Sequence, residues 1–553
     1  MTSEAVDALF FSYYGDLDRW HNDGDETAAG TQFREGADQT LVGRIRRQSV
    51  RLDGKPHDFA RFMSWVRQGD TRSWRQYDAY TPTHLSGAFY ESLLGGQGFS
   101  VRHINYADRT VVEGLAERYE PTFVLFSVTM MIEIPTIMDG LQRVRRAWPG
   151  AKVIVGGFIL SELERDLGPA EFQRVLQSLA ADAFVITPQG EEAVLALLRA
   201  GPAALEGGAL PNTWVAGKNG VYALSTERAE KGLSMDTSWV RWGSLDPADL
   251  YHTVHLRTAR SCTFKCTFCS LFNVEGALAM ATPETLRREL NELERLPGVR
   301  SIVFTDDTFN VPRPRFRELL AVLADFDFEW YCFFRCQFAD RETVSLMRTA
   351  GCRGVFLGLE AVDDRMLSVM NKAATVDSYR RGLEQLNAND IFCHGNFIVG
   401  FPSDVPENAE RIVEFVDQNG VDFFSVSPWF CAPSMTITEA REEYGLEGNY
   451  YNWKHNTMDS RQAIELEQQI IHQARVSSYV SQLSADTFWT ELLLVANGFS
   501  VGEVKRATRA FSALAGDNHL STELAASPRI NDLRQLLMAH PMAAPAGREL
   551  RLT

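Results

Sequence analysis

Residues 253–269 read Thr-Val-His-Leu-Arg-Thr-Ala-Arg-Ser-Cys262-Thr-Phe-Lys-Cys266-Thr-Phe-Cys269. The opening stretch, 253–258, predicts a strand, so three thiols spaced x3 and x2 fall at its C-terminal mouth. All 8 cysteines lie between Cys262 and Cys431, and none falls in the first 261 residues. In a reducing cytosol such a cluster points to metal binding or catalysis rather than to disulfides. Three thiolates on one loop can each take a corner of a cubane that normally wants four Cys ligands, which leaves one iron open. An open position is what a catalytic centre needs, whereas a structural site is closed. The alternative is a structural zinc site or a redox thiol group with Cys332 or Cys336 as fourth ligand, but no cysteine stands at finger-like spacing. Cys352, Cys393 and Cys431 read as small buried hydrophobes.

Outward from the thiols the strand–helix alternation recurs at 301–305, Glu329–Phe334, 354–359, Phe392–Val399 and 423–426, with one helix capped by Thr282 and carrying Pro283 at its first position. Six units predict a (β/α)6 partial barrel over 251–440, with its active site at the strand C-termini. Upstream, apolar runs at 8–14, 99–106, 123–129, 152–155 and 183–187 alternate with helical periodicity, as at Ile137, Leu141 and Val144. This grammar predicts an α/β fold with a Rossmann-like parallel sheet over 1–205. It carries a polar, Arg- and Asp-rich insertion, 15–83, too long for an ordinary connection. Gly, Ala and Pro enrichment at 201–210 places a linker over 206–250, with a β-hairpin around Asn219-Gly220 bridging the two units. Residues 441–553 read as mainly helical.

At 553 residues, 45% hydrophobic and 23% charged, the chain is too long for one core. A net charge of −17 gives no electrostatic footprint for a polyanion, which argues against nucleic acid and for a small-molecule or peptide-derived partner. Residues 1–20 lack a basic n-region, and nowhere do 18 uncharged apolar residues run together. A cytoplasmic protein without a membrane span is expected.

Further candidates lie at the strand ends. Phe304-Thr-Asp306-Asp307-Thr-Phe309-Asn310 puts two carboxylates past the second strand, suited either to an ammonium or substrate in the mouth or to a helix N-cap. Arg335 ends the third strand and can fork onto a substrate carboxylate or pair with those aspartates. Gly358-Leu-Glu360 ends the fourth. In the first sheet, Gly156, Gly157 and Gly190 stand at strand exits where a large flat ligand can approach. No G-x-G-x-x-G or P-loop is present.

The spacing C-x3-C-x-F-C after the first barrel strand resembles the radical S-adenosylmethionine superfamily. That resemblance implies a 4Fe-4S cluster on Cys262, Cys266 and Cys269, whose open iron chelates S-adenosylmethionine, and a 5'-deoxyadenosyl radical that abstracts hydrogen. It places Phe268 near the adenine, Glu360 at the ribose, and Asn396 and Gly400 of Asn396-Phe-Ile-Val-Gly400-Phe-Pro402 along the adenine. Where many relatives have Ser after the Glu, Ala361 stands here. The sheet ahead of the barrel resembles the cobalamin-binding subgroup. Its lower-ligand signature D-x-H-x-x-G is absent, although Pro82-Thr-His84-Leu-Ser-Gly87 keeps the His and Gly. Phe304 to Pro312, Phe334-Arg-Cys-Gln337, Met370-Asn371-Lys372 and Trp453-Lys-His455 are similar to the branch containing the phosphinothricin P-methyltransferases. The resemblance implies methyl transfer from methylcobalamin to an unactivated carbon or a phosphinate phosphorus of a specialised metabolite, as in antibiotic biosynthesis. An electron donor such as flavodoxin or ferredoxin would serve it. The alternatives are a non-methylating rearrangement or ring modification with the same cofactors, and an iron or redox sensor without catalysis.

Overall fold

In the computed structural model, residues 3–15, 47–78, 82–129, 134–217, 219–226, 232–481 and 490–543 are described. Nearly every inner position of β1 (Glu4–Phe11) is apolar, because both faces of this strand are covered: Val6, Leu9 and Phe11 face one core and Ala8 and Phe10 another. Beyond it, residues 16–46 and 79–81 of the expected insertion lie outside the described residues. Its described part forms a hairpin, Val50–Leu52 with Lys55–His57, and the helix α1 (Phe59–Gln68). The helix α2 (Leu85–Gly95) returns the chain to the sheet.

The first sheet continues with β2 (Val101–Ile104), β3 (Tyr119–Ser127), β4 (Lys152–Gly156) and β5 (Ala183–Val185), followed by β6 (Thr213–Ala216) and β7 (Tyr222–Leu224). Its order is β2-β1-β3-β4-β5-β6-β7, parallel through β5 and antiparallel beyond. The helices α3 (Phe158–Asp166) and α4 (Glu191–Ala200) follow β4 and β5. Order 2-1-3-4-5 is that of a doubly wound sheet, whose ligands bind beyond the strand C-termini where the winding reverses, here between β1 and β3. The hairpin expected to bridge the two units instead extends this sheet. An isolated two-stranded ribbon is barely stable in water, and the free edge of β5 offers it a ladder.

The second sheet is parallel throughout and runs in chain order through β8 (Thr253–Leu256), β9 (Ser301–Phe304), β10 (Glu329–Phe334), β11 (Cys352–Glu360), β12 (Phe392–Val399), β13 (Phe423–Pro428) and β14 (Ser478–Tyr479). It has seven strands where six were expected. The extra one is a two-residue piece donated by the C-terminal region, too short to carry a periodicity. Among the described residues, β8 and β14 remain unpaired with each other. The edge of β8 is met by Thr83, which donates from its N–H to Thr253 O at 3.1 Å and accepts from His255 N at 3.0 Å.

Side chains alternate across this sheet. Ile302, Phe304, Trp330 and Cys332 face the outer helices, while Val303, Tyr331, Phe356, Phe392 and Phe423 face inward. The inner face is filled by α1 together with the C-terminal helices α6 (Thr490–Ala496), α7 (Val501–Ser512) and α8 (Pro528–Ala539), which follow α5 (Ser460–Gln473). Phe511 packs on Phe59 and Phe62, and Arg534 Nε donates to Val66 O at 2.8 Å. At the centre of this filling, His394 of β12 bridges Glu491 of α6 and Ser425 Oγ of β13, all fully buried. The described part of the insertion and the C-terminal helices therefore close the interior of the barrel together. Among the described residues no helix is long and apolar enough to cross a membrane.

Candidate active site

The segment 257–270 leaves β8 at the mouth of the second sheet and is held on two sides. Asp306, just past β9 and 1% exposed, accepts from Thr258 N at 2.9 Å and from Thr258 Oγ1 at 2.6 Å. On the other side, Thr267 N donates to Met370 O at 3.0 Å, Thr267 Oγ1 to Val369 O at 2.8 Å, and Asn371 Nδ2 to Lys265 O at 2.8 Å. The stretch 369–372 is thus a clamp on the thiol loop. Among the described residues Asp306 caps no helix; both its oxygens are engaged by Thr258, which makes it an anchor of the thiol loop.

Cys266 is buried, while Cys262 and Cys269 keep partial solvent contact. Cys262 Sγ lies 3.4 Å from Thr308 Oγ1. The thiol of Cys269 is pushed up to about 12 by burial, with Cys266, Asp307 and Cys262 adding to the effect. Such a sulfur becomes a thiolate only when a bound cation supplies compensating charge. Among the described residues no three His, Cys, Asp or Glu side chains group as they would around a single ion. Three sulfurs spaced x3 and x2 on one loop are the donors that three corners of a cubane take. Cys332 and Cys336 do not serve as a fourth ligand: both are fully buried in the outer core, where burial raises their thiols.

Arg335 pairs with neither aspartate. Its guanidinium lies 3.6 Å over the Phe264 ring, donates to Lys372 O, and brings Nη1 within 4.0 Å of Cys266 Sγ. Phe264 holds the cation beside the sulfur. Asp307 keeps solvent contact at the mouth, and its carboxyl is lifted to about 6 by lost hydration and by the charges of Asp306 and Glu275.

Glu360 ends β11 in a left-handed conformation, φ +67°, beside a register shift against β12. Its Oε1 accepts from Lys372 Nζ at 2.8 Å, and both side chains are buried. The Lys372 ammonium lies 5.5 Å over the ring of Phe268, which meets Phe401 edge-on at 6.4 Å. Asn396 stands in register with Gly358 and Ser425. Gly400 has φ +81°, and a Cβ there would come within 2.5 Å of Ala463 and 2.6 Å of Trp453. Its side-chain space therefore belongs to Trp453 rather than to a ligand, while its carbonyl accepts from His455 Nε2 at 3.0 Å.

Between the C-terminal ends of the first sheet and the barrel mouth lies a cleft that, with the solvent open to it, spans about 1060 Å³. Gly156, Gly157 and Gly190 all line it, with Phe10 and Tyr90 stacked at 4.7 Å in its wall. Gly157 has φ +142°, and a Cβ there would lie 2.6 Å from Thr129 N, so no other residue fits this rim. The barrel side supplies Arg257, Arg260, Val274 and Glu275. His84 does not line the cleft. It is the N-cap residue of α2, buried, and stacks on His255 of β8 with centroids 5.4 Å apart.

Sequence reasoning missed Lys372, Arg257, Arg260, Glu191 and Glu275. Lys372 lies in Met370-Asn371-Lys372, twelve residues past the strand-end Glu360, and its charge was the available signal. Glu191 and Arg260 form a buried ion pair between α4 and the thiol-bearing segment, 2.9 Å apart, and nothing local in the chain links them.

The profile of the Radical SAM superfamily matches residues 256–416. An uncharacterised methyltransferase of Pyrococcus horikoshii is 25% identical over 209 residues, 36% of this chain and 45% of the relative. The bacteriochlorophyllide d C-8(2)-methyltransferase of Chlorobaculum tepidum is 23% identical over 306 residues, 52% and 64% of the two chains. The anaerobic magnesium-protoporphyrin IX monomethyl ester cyclase of Cereibacter sphaeroides is 26% identical over 255 residues, 43% and 41%. The chain thus spans between two fifths and two thirds of these relatives' lengths. Among solved structures, the radical S-adenosylmethionine methyltransferase TsrM of Kitasatospora setae, with tryptophan and a SAM analogue bound, superposes with a TM-score of 0.60 at 15% identity, over 78% of this chain and 96% of that one. The same enzyme with cobalamin and a [4Fe-4S] cluster bound gives 0.53 at 15% identity, over 83% and 97%. A thiol loop at the mouth of a parallel partial barrel and the superfamily profile coincide on the same residues, and residues 256–416 are a radical SAM domain.

Proposed function

We propose that this chain is a cobalamin-dependent radical S-adenosylmethionine methyltransferase. The observation that carries the reading is one shared space. The glycine rim at the C-terminal ends of β4 and β5 faces the stretch Arg257 to Arg260 that leads directly into Cys262. Cys262, Cys266 and Cys269 would hold the 4Fe-4S cluster, Phe268, Glu360, Asn396 and the Gly400 backbone would border S-adenosylmethionine, and Gly156, Gly157 and Gly190 would receive the corrin. When bound, these cofactors supply a 5'-deoxyadenosyl radical and a transferable methyl group.

The chain's own residues prepare the site. Asp306 and the 369–372 clamp set the thiol loop from both sides. Arg335 keeps a positive charge beside the Cys266 sulfur. Asp307, with its carboxyl near 6, is suited to hold an ammonium or accept a proton at neutral pH. The helices packed into the concave face exclude water from the barrel.

Support for methyl transfer comes from the methyltransferases among the relatives and from the TsrM fold. The acceptor in this proposal is an unactivated carbon of a small or peptide-derived specialised metabolite, with a flavodoxin- or ferredoxin-type donor in the cytoplasm. A second reading, ring modification without methylation, is favoured by the likeness to the cyclase. Anaerobic reconstitution tests both: bound corrin is read from its absorbance, 5'-deoxyadenosine from the supernatant, and product mass distinguishes a gain of one methylene from none. Absence of both corrin and 5'-deoxyadenosine would sink the proposal.

A further inference from the structure

The cleft wall contains a pair that the proposed chemistry does not use. Glu191 opens α4 directly after Gly190, and Arg260 lies two residues before Cys262, so the pair joins the two sides of the cleft. One bond connects them, Arg260 Nη2 to Glu191 Oε1 at 2.9 Å, with side-chain exposures of 3% and 6%. Three polar atoms remain: Arg260 Nε and Nη1 and Glu191 Oε2 are buried and have no hydrogen-bond partner among the described residues. Buried charged groups rarely stay incomplete unless something else completes them.

The incomplete set has a definite chemistry. One guanidinium N–H matches a carbonyl oxygen, and one carboxylate oxygen matches one N–H. A primary amide offers both. An ester offers only the acceptor, and a carboxylate would meet Glu191 with like charge. The wall as a whole is balanced, Arg257 and Arg260 against Glu191 and Glu275, which suits a neutral polar group better than a phosphate.

We propose that Arg260 and Glu191 form an amide clamp that grips one propionamide arm of the corrin across the two sides of the cleft. The clamp rests on the cobalamin reading and adds to it a pair of recognition residues. It selects the amide by donating to its oxygen from Arg260 and accepting its N–H at Glu191.

The test is spectral titration of the cluster-reconstituted full chain with hydroxocobalamin and with its three monocarboxylic acids, in each of which one propionamide is hydrolysed. The wild type is expected to bind one of the three acids weaker than hydroxocobalamin by about tenfold or more, the scale of one hydrogen bond to a charged group. In E191Q that penalty should shrink or invert, because the acid then meets only Arg260 and a neutral amide. Equal wild-type affinity for all four corrinoids overturns the clamp and leaves the cobalamin reading standing, and this comparison needs no variant. An unchanged penalty in E191Q also overturns it. Failure of the wild type to bind any corrinoid removes both.

Discussion

Replacing Asp306 with Ala should loosen the thiol loop before it affects anything else. One carboxylate receives two short bonds from Thr258, at 2.9 and 2.6 Å, in a fully buried setting. Hydrogen bonds to charged groups contribute about 1.5–3 kcal/mol each, so the gross loss is about 3–6 kcal/mol. Burial opposes this, since lost hydration raises the Asp306 carboxyl above its ordinary value despite both bonds. Removing the buried anion returns part of that cost, which leaves a net loss of about 2–4 kcal/mol. For a unit of the barrel's size this lowers the unfolding midpoint by roughly 5–15 °C. D306N keeps one acceptor and should fall about halfway. The assay is calorimetry of the cluster-free chain beside iron and sulfide counts after anaerobic reconstitution, with both expected to drop in D306A. A midpoint within about 1 °C of the wild type, together with full cluster content, would refute the anchoring role.

Lys372→Met strands Glu360 in a buried position and should destabilise by about 3–5 kcal/mol in urea unfolding, whereas the double variant K372M/E360Q should recover much of the loss. Glu289, buried against Trp242 Nε1 at 2.9 Å, has its carboxyl raised to about 8. The folded chain therefore holds a proton that the unfolded chain releases near 4.3, and stability falls as pH rises through that window, by about 2 kcal/mol between pH 6 and 8. E289Q should lose this slope and be the more stable form at pH 8; a slope equal to the wild type's would contradict the assignment. Gly157→Ala drives a Cβ to 2.6 Å from Thr129 N and should abolish corrin absorbance in the purified protein while leaving iron content intact.

Local patterns carried the two sheets into view. Apolar runs marked β1, β3 and the barrel strands because each buries most of its length, and the thiol spacing placed the loop at a strand mouth. What stayed hidden depends on contacts between distant parts of the chain. The hairpin at Thr213–Ala216 and Tyr222–Leu224 was legible as a hairpin, but its partner was not, since an edge strand is chosen by the free ladder beside it. The two-residue β14 has no period. Asp306 and Arg335 were legible as strand-end charges, yet their partners, Thr258 and the Phe264–Cys266 corner, come from a neighbouring loop that brings a hydroxyl to one and a ring to the other. The glycines at the β4 and β5 exits line the cleft, whereas Gly400, the same residue type, serves the close packing of Trp453.

The proposed chemistry requires Cys262, Cys266 and Cys269 to hold a cubane with one iron open to S-adenosylmethionine. Electron paramagnetic resonance of the reduced, anaerobically reconstituted chain, recorded with and without S-adenosylmethionine, addresses this most directly. A 4Fe-4S signal that shifts on addition of S-adenosylmethionine and vanishes in C266A is the predicted result. Bound zinc without inorganic sulfide, or a cluster signal that persists unchanged in C266A, would contradict it.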